Sequence, residues 1–140
     1  MDDDDVKFME HIAIASDLTL EEFCAVAQRT LGLPDFKFDG ENETEWGISV
    51  KDSIEYNISR PYEPETLRSW DSTVPHGCNF GLILIFPKSA AETAETSHPI
   101  VRQVCETLAN VLGTPLHHHR AWLGPGINLA RKGVFVPKQE

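Results

Sequence analysis

Three consecutive histidines, His117, His118 and His119, are the residues of this chain best suited by type to chemistry, since imidazole ligates zinc and moves protons near neutral pH. Their spacing argues against it. The segment Leu116 to Trp122 reads as a strand, and neighbouring side chains on a strand point to opposite faces. Only His117 and His119 could then share a metal ion, and a third ligand would have to come from elsewhere. A strand with partly exposed imidazoles is the simpler expectation, with no metal and no cofactor. Cys78 follows His76-Gly77 at the mouth of an apolar run and is the one cysteine placed to react. A nucleophilic site would need His76 beside it and an acid to orient that histidine, and no nucleophile-elbow signature surrounds the pair. Carboxylate pairs of the glycosidase kind can be drawn anywhere in so acidic a chain, so they select nothing. Gly124-Pro125-Gly126 lacks the spacing of a phosphate-binding loop and opens no helix; it reads as a turn. Arg120, Arg131, Lys132 and Lys138 could form a small basic patch, but in a chain of net charge −10 they serve first to balance nearby acids. No catalytic constellation emerges, and the chain is not expected to be an enzyme.

What remains is carboxylate. Asp35, Asp39, Glu41, Glu43, Glu45, Asp52 and Glu55 are opposed only by Lys37 and Lys51 over residues 35–55. One explanation is a solvated face that keeps a small domain in solution. The other is a docking surface for a cationic protein. Aromatic side chains carry much of the energy of protein interfaces, while rim charges set on-rate and orientation. On that view the candidate partner-binding residues are Asp39, Glu41, Glu43, Glu45, Trp46, Asp52, Glu55, Tyr56, Tyr62, Glu63, Glu65, Trp70 and Asp71. The charge is also uneven along the chain. Residues 1–75 carry 18 acids and 6 bases, whereas residues 76–140 carry 4 acids and 6 bases. Such a field repels nucleic-acid phosphates and accelerates capture of a basic protein.

The elements that must position these residues follow from periodicity. The length of 140 residues fits one domain, and 41% hydrophobic against 24% charged content excludes wholesale disorder. The expected organisation is a disordered acidic terminus over residues 1–5 and a single α+β domain over 6–140. Val6, Phe8, Ile12 and Ile14 predict a first strand. Thr19 with Glu22 predicts a capping box, Leu18 and Phe23 a hydrophobic staple, and Leu20, Phe23, Cys24, Ala27 and Leu31 one apolar stripe that Gly32 and Pro34 end. A β-meander follows. Phe36 and Phe38 alternate with charges, Asp39-Gly40 opens a turn, Trp46, Ile48 and Val50 share one face, and Ile54, Tyr56 and Ile58 follow a Lys51-Asp52-Ser53 turn. A long loop from Arg60 to Gly77 is expected to hold one helical turn near Thr66 to Trp70. Phe80 to Phe86 reads as a central strand covered on both faces or a strand at the heart of a sheet, Pro87 to Ser97 as a connection, and Pro99 to Leu112 as a second helix with proline in its first turn. Leu116 to Trp122 and Gly133 to Val136 complete the strands. The fold class is therefore α+β, a two-layer sandwich of two main helices on a largely antiparallel sheet.

Cys24, Cys78 and Cys105 form no close pair, which excludes a CxxC site and fits reduced thiols in a cytoplasm. The Asp2 to Asp5 run is the reverse of a secretory leader, and the apolar run Phe80 to Pro87 is too short to span a bilayer as a helix. Neither a membrane nor a nucleic acid is an expected partner.

A small acidic cytoplasmic α+β domain without a catalytic signature resembles the immunity proteins that protect bacteria from polymorphic toxins, including those of contact-dependent growth-inhibition systems. The resemblance is one of type and spans the whole chain; no motif carries it, so no residue's role is transferred. It implies a stoichiometric inhibitor of a cognate toxin domain, often a basic nuclease, whose substrate phosphates the acids would replace. Two other functions fit parts of the pattern. An acidic chaperone for a secreted effector is similar in size and charge to type III secretion chaperones, but those open with a helix and dimerise. A small metal-dependent hydrolase would use the His117–His119 strand with an acid from the loop.

Overall fold

The sequence elements assemble as their periodicities dictate, with one instructive inversion. The computed structural model describes residues 8–63, 65–70, 74–86, 94–124, 127–129 and 133–137. Strand β1 spans Phe8–Ile14 and helix α1 spans Leu20–Leu31; strands β2, β3 and β4 span Lys37–Gly40, Thr44–Lys51 and Ile54–Pro61. A short helix α2 (Thr66–Trp70) leads to β5 (Phe80–Phe86), and helix α3 (Ala94–Leu112) leads to β6 (Leu116–Gly124), β7 (Ile127–Leu129) and β8 (Gly133–Phe135).

Helix α1 begins where its cap predicts. The Thr19 hydroxyl accepts from the Glu22 amide, and the Glu22 carboxylate accepts from the Thr19 amide at 2.9 Å. It ends at Gly32, whose φ of 66° is left-handed and lets its N–H reach the Gln28 carbonyl. Asp52 and Ser53 both take positive φ, the backbone of a two-residue hairpin between β3 and β4. Helix α3 starts five residues before the expected point, so Pro99 falls at its sixth residue and not in its first turn. Strand β7 carries no alternation long enough to be read from its three residues. The acidic run Asp2 to Asp5 and the residues Pro125 and Gly126 lie outside the described residues.

All strand pairs are antiparallel, in the order β2-β3-β4-β5-β1-β6, and β7 and β8 share the outer edge of β6. The fold is an α+β two-layer sandwich. Ile12 and Ile14 of β1, Tyr56 and Ile58 of β4, Phe80, Leu82, Leu84 and Phe86 of β5 and Leu116 of β6 form one buried cluster. It closes on Leu20, Phe23, Cys24 and Ala27 of α1 and on Val101, Val104, Cys105, Leu108 and Ala109 of α3, with Phe23 stacked on Phe80 at 4.5 Å between ring centroids. At roughly 25 cal/mol per Å² of buried apolar surface, this cluster is the main source of stability. The opposite face carries one small second cluster, in which Leu67 of α2, Val74 and Cys78 cover Ala13.

The inversion concerns β3. Trp46, Ile48 and Val50 do share a face, as their alternation predicts, but it is the face without helices. The helix side of β3 holds Gly47 and Ser49, because α1 and the chain after it come too close for anything larger. A Cβ on Gly47 would stand 3.0 Å from the Phe38 ring and 3.1 Å from the Cys24 Sγ, and the buried Ser49 donates its hydroxyl to the Pro34 carbonyl at 2.8 Å. Strand β5 alternates in the same sense: Phe80, Leu82, Leu84 and Phe86 are buried, whereas Ile83 and Ile85 are partly exposed, so it is fully covered on one face only.

Candidate functional site

Register decides which of the acidic and aromatic candidates can act together. Opposed residues of an antiparallel pair share a face. Asp39 lies opposite Trp46, Trp46 opposite Ser59, Ile48 opposite Asn57 and Val50 opposite Glu55, and all of these are on the helix-free side. Glu41 and Glu43 are exposed in the turn joining β2 to β3. Tyr62, 56% exposed, lies beside that turn: its amide donates to the Glu43 carbonyl, and its hydroxyl stands 3.3 Å from where a Cβ on Gly40 would be. Glu63 and Glu65 continue exposed from it. Asp39, Glu41, Glu43, Glu63 and Tyr62 thus meet at one end of the β2–β4 hairpins. A hollow of about 440 Å³ opens there over Glu41, Asn42, Glu43 and Thr44.

The remaining candidates are placed elsewhere. Asp52 sits in the β3–β4 turn and Glu55 next to it, at the far end of β3, which at about 3.3 Å per residue is roughly 23 Å away. Glu45 is on the helix side, paired with Arg60 at 3.8 Å; that guanidinium also lies 5.7 Å from the Phe80 ring centroid. Tyr56 is a core residue and not a surface anchor: it is 8% exposed on the helix side of β4, and burial, aided by Asp52, raises its pKa. Trp70 closes α2, and its side chain and Asp71 lie outside the described residues.

The exposed carboxylates are not neutralised. Among the described residues Asp39, Glu41, Glu43, Asp52, Glu55, Glu63 and Glu65 have no ion-pair partner; the ion pairs there are Glu45–Arg60 and the buried Glu10–His118. Neighbouring cations are engaged otherwise. Lys51 Nζ donates to the Leu31 carbonyl at 3.4 Å, and Arg68 donates from Nε to the Val74 carbonyl and sits 2.7 Å from His76 Nε2.

His117, His118 and His119 have different surroundings. His118 is not an exposed imidazole: it points into the helix side, 3% exposed, with its Nε2 2.6 Å from Glu10 Oε1. At a bulge between β1 and β6 the register passes over His119, whose ring centroid lies 5.9 Å from that of His11. Among the described residues no three His, Cys, Asp or Glu side chains converge as a metal site requires. Cys78 is buried under α2, and that burial raises its thiol pKa, so it is held as the unreactive thiol. Arg120 (as a side chain), Arg131, Lys132 and Lys138 are outside the described residues. A groove of about 760 Å³ lies between the end of β1, α1 and the C-terminal end of α3. Some of its polar groups are engaged by the fold. Asn79 clamps Ser16 through both its amide groups, and Thr114 donates to the Ala15 carbonyl.

Sequence reasoning missed Glu10, an acid at an inward position of a predicted strand, because nothing in the sequence pairs it with His118. The run Phe80 to Phe86 marked a strand at the heart of the sheet, but consecutive apolar residues do not tell which face is covered, so the helix-free side of Ile83 and Ile85 was not legible. The chain matches no protein-family model, no curated protein and no solved structure.

Proposed function

We propose that this chain is an immunity-type inhibitor that captures a basic toxin domain through the acidic half-sheet formed by β2, β3 and β4. The observation that carries this reading is the uncompensated group of Asp39, Glu41, Glu43 and Glu63 around Tyr62, exposed and without cationic partners among the described residues. Solvated acids on an ordinary surface are interspersed with bases. Here they stand together at one end of a rigid hairpin pair, where their fields add and reach a positive partner before contact. A nuclease-type domain must be basic where it holds phosphates, so carboxylates fixed at this end are suited to fill that cleft in place of its substrate. The three free cysteines, all buried, support residence in a reducing cytoplasm. Among the described residues no helix is long and apolar enough to cross a membrane.

The test is protection. The partner to use is a candidate toxin domain, the variable C-terminal domain of any large secreted protein found encoded immediately upstream, the arrangement in which polymorphic toxins and their inhibitors occur. Cells expressing that domain should survive when this chain is co-expressed, and the two should co-purify in equal amounts. Survival lost in a Glu41→Lys, Glu43→Lys double variant of unchanged thermal stability would support the acidic surface as the contact. No protection, with a soluble and folded inhibitor present, would rule the function out.

A further inference from the structure

We infer that the helix-free face of the sheet is the docking face for that partner, with Trp46, Ile48, Val50, Ile83 and Ile85 as its apolar centre, and that its occupant is a basic protein surface with an apolar patch of its own. This rests on the inhibitor function proposed above and says where and with what chemistry the contact is made. The first support is an expenditure of large apolar side chains that the fold does not explain. One face of an antiparallel sheet can stay in water, and then its residues are polar. Strand β4 follows that rule, presenting Glu55, Asn57 and Ser59 on this side, but β3 and β5 do not. Trp46 and Ile48 are partly exposed, Val50 is 53% exposed, and Ile83 and Ile85 are partly exposed two strands away. Among the described residues α2 and the segment Val74 to Cys78 pack on this face at the corner of Ala13 and Gly81, where Leu67 would meet a Cβ on Gly81 at 3.6 Å. Strand β3 has no room to turn Ile48 inward at its middle, where the other face holds Gly47 and Ser49.

The charges around the face select the occupant. The Trp46–Val50 stripe is flanked by a carboxylate at each end: Asp39 lies opposite Trp46 on β2, and Glu55 lies opposite Val50 on β4. Glu41 and Glu43 extend the rim beyond Asp39, and Lys37, opposite Ile48, is the single cation on this side of β2–β4. A second copy of the chain would bring the same carboxylate rim against itself, with a net charge of −10 on each molecule. A polyanion is repelled for the same reason. A surface with lysine or arginine around aliphatic or aromatic residues satisfies both parts of the face: the apolar centre supplies affinity and the rim supplies rate and orientation.

The upstream-encoded toxin domain is the probe, titrated into the full chain and its variants, with thermal midpoints measured in parallel. Trp46→Ala and Val50→Lys are expected to weaken binding about thirtyfold or more, mainly through faster dissociation, and Glu41→Lys to act mainly on association. Because Val50 is more than half exposed, its variant retains the fold, and amide hydrogen exchange adds a second readout: residues 44–50 and 81–85 should be protected in the complex. Binding at wild-type strength by both face variants, or protection confined to α1 and α3, would overturn the docking face while leaving the inhibitor function standing. Failure of the wild-type chain to bind the domain would overturn both.

Discussion

Glu10 and His118 show what a single residue pair commits the fold to. A carboxylate with no exposure and an imidazole with almost none are held 2.6 Å apart beneath α3, where no water can replace either partner. Deleting the carboxylate takes this buried contact from His118, so Glu10→Ala should cost about 3–5 kcal/mol in urea unfolding, and Glu10→Gln, which keeps a hydrogen-bonding group, distinctly less. An equal loss for both would mean that the contact does not matter. The same site governs a thiol. Burial first, then Glu10 and Glu106, push Cys105 up to about 12, and burial with Glu21 and Glu45 does the same to Cys24. An unfolded thiol ionises near 9.0, so between that value and about 12 the folded chain binds more protons than the unfolded one. Stability is therefore full below pH 9 and falls as pH rises through this window; Cys24→Ala, Cys105→Ala chains should show a shallower alkaline loss in thermal midpoint. Of all this the sequence disclosed that both cysteines sit on apolar helix stripes. It did not disclose the pair, because two residues 108 positions apart meet only through the β1–β6 register.

At the scale of elements, local signals were legible and the orientation of β3 was not. The capping box at Thr19, the left-handed stop at Gly32 and the short helix in the 60–77 loop are all written within a few residues of where they act. Which face of β3 looks toward α1 depends on how closely helix and strand approach, and that distance is set by Cys24, Phe38 and Pro34 from other elements. The alternation of Trp46, Ile48 and Val50 therefore tells that they share a face but not that it is the one without helices. Gly47 is the residue that fixes the arrangement. Gly47→Val would drive a β-branched side chain into the Phe38 ring and Cys24 Sγ and should destabilise by about 1–3 kcal/mol, measured by denaturant midpoint. A neutral or stabilising result would show that α1 can retreat and that the exposed placement of Trp46 is not imposed by packing. The candidate site divides along the same line. Exposure of the turn acids at 41 and 43 could be read from composition, whereas the burial of Tyr56 and the separation of Asp52 from them required the register.

At the scale of the molecule, one sheet sorts the chain's charge by position as well as by sequence. Strands β2 to β4, at one side of the sheet, carry the surplus carboxylates, and β1 and β5, which pair in its middle, carry the core. Pairing with Arg60 removes Glu45 from that surplus and leaves the exposed carboxylates to solvent or to a partner. On the function proposed above, the partner would be captured by long-range attraction and held by short-range apolar contact, so salt should act on one rate and not the other. The most direct measurement is the association rate with the upstream-encoded toxin domain as ionic strength is varied. Raising salt from about 0.05 M to about 0.5 M should slow association at least about tenfold and leave dissociation nearly constant. An association rate independent of salt, or an unchanged rate for the Glu41→Lys, Glu43→Lys variant, would contradict the account.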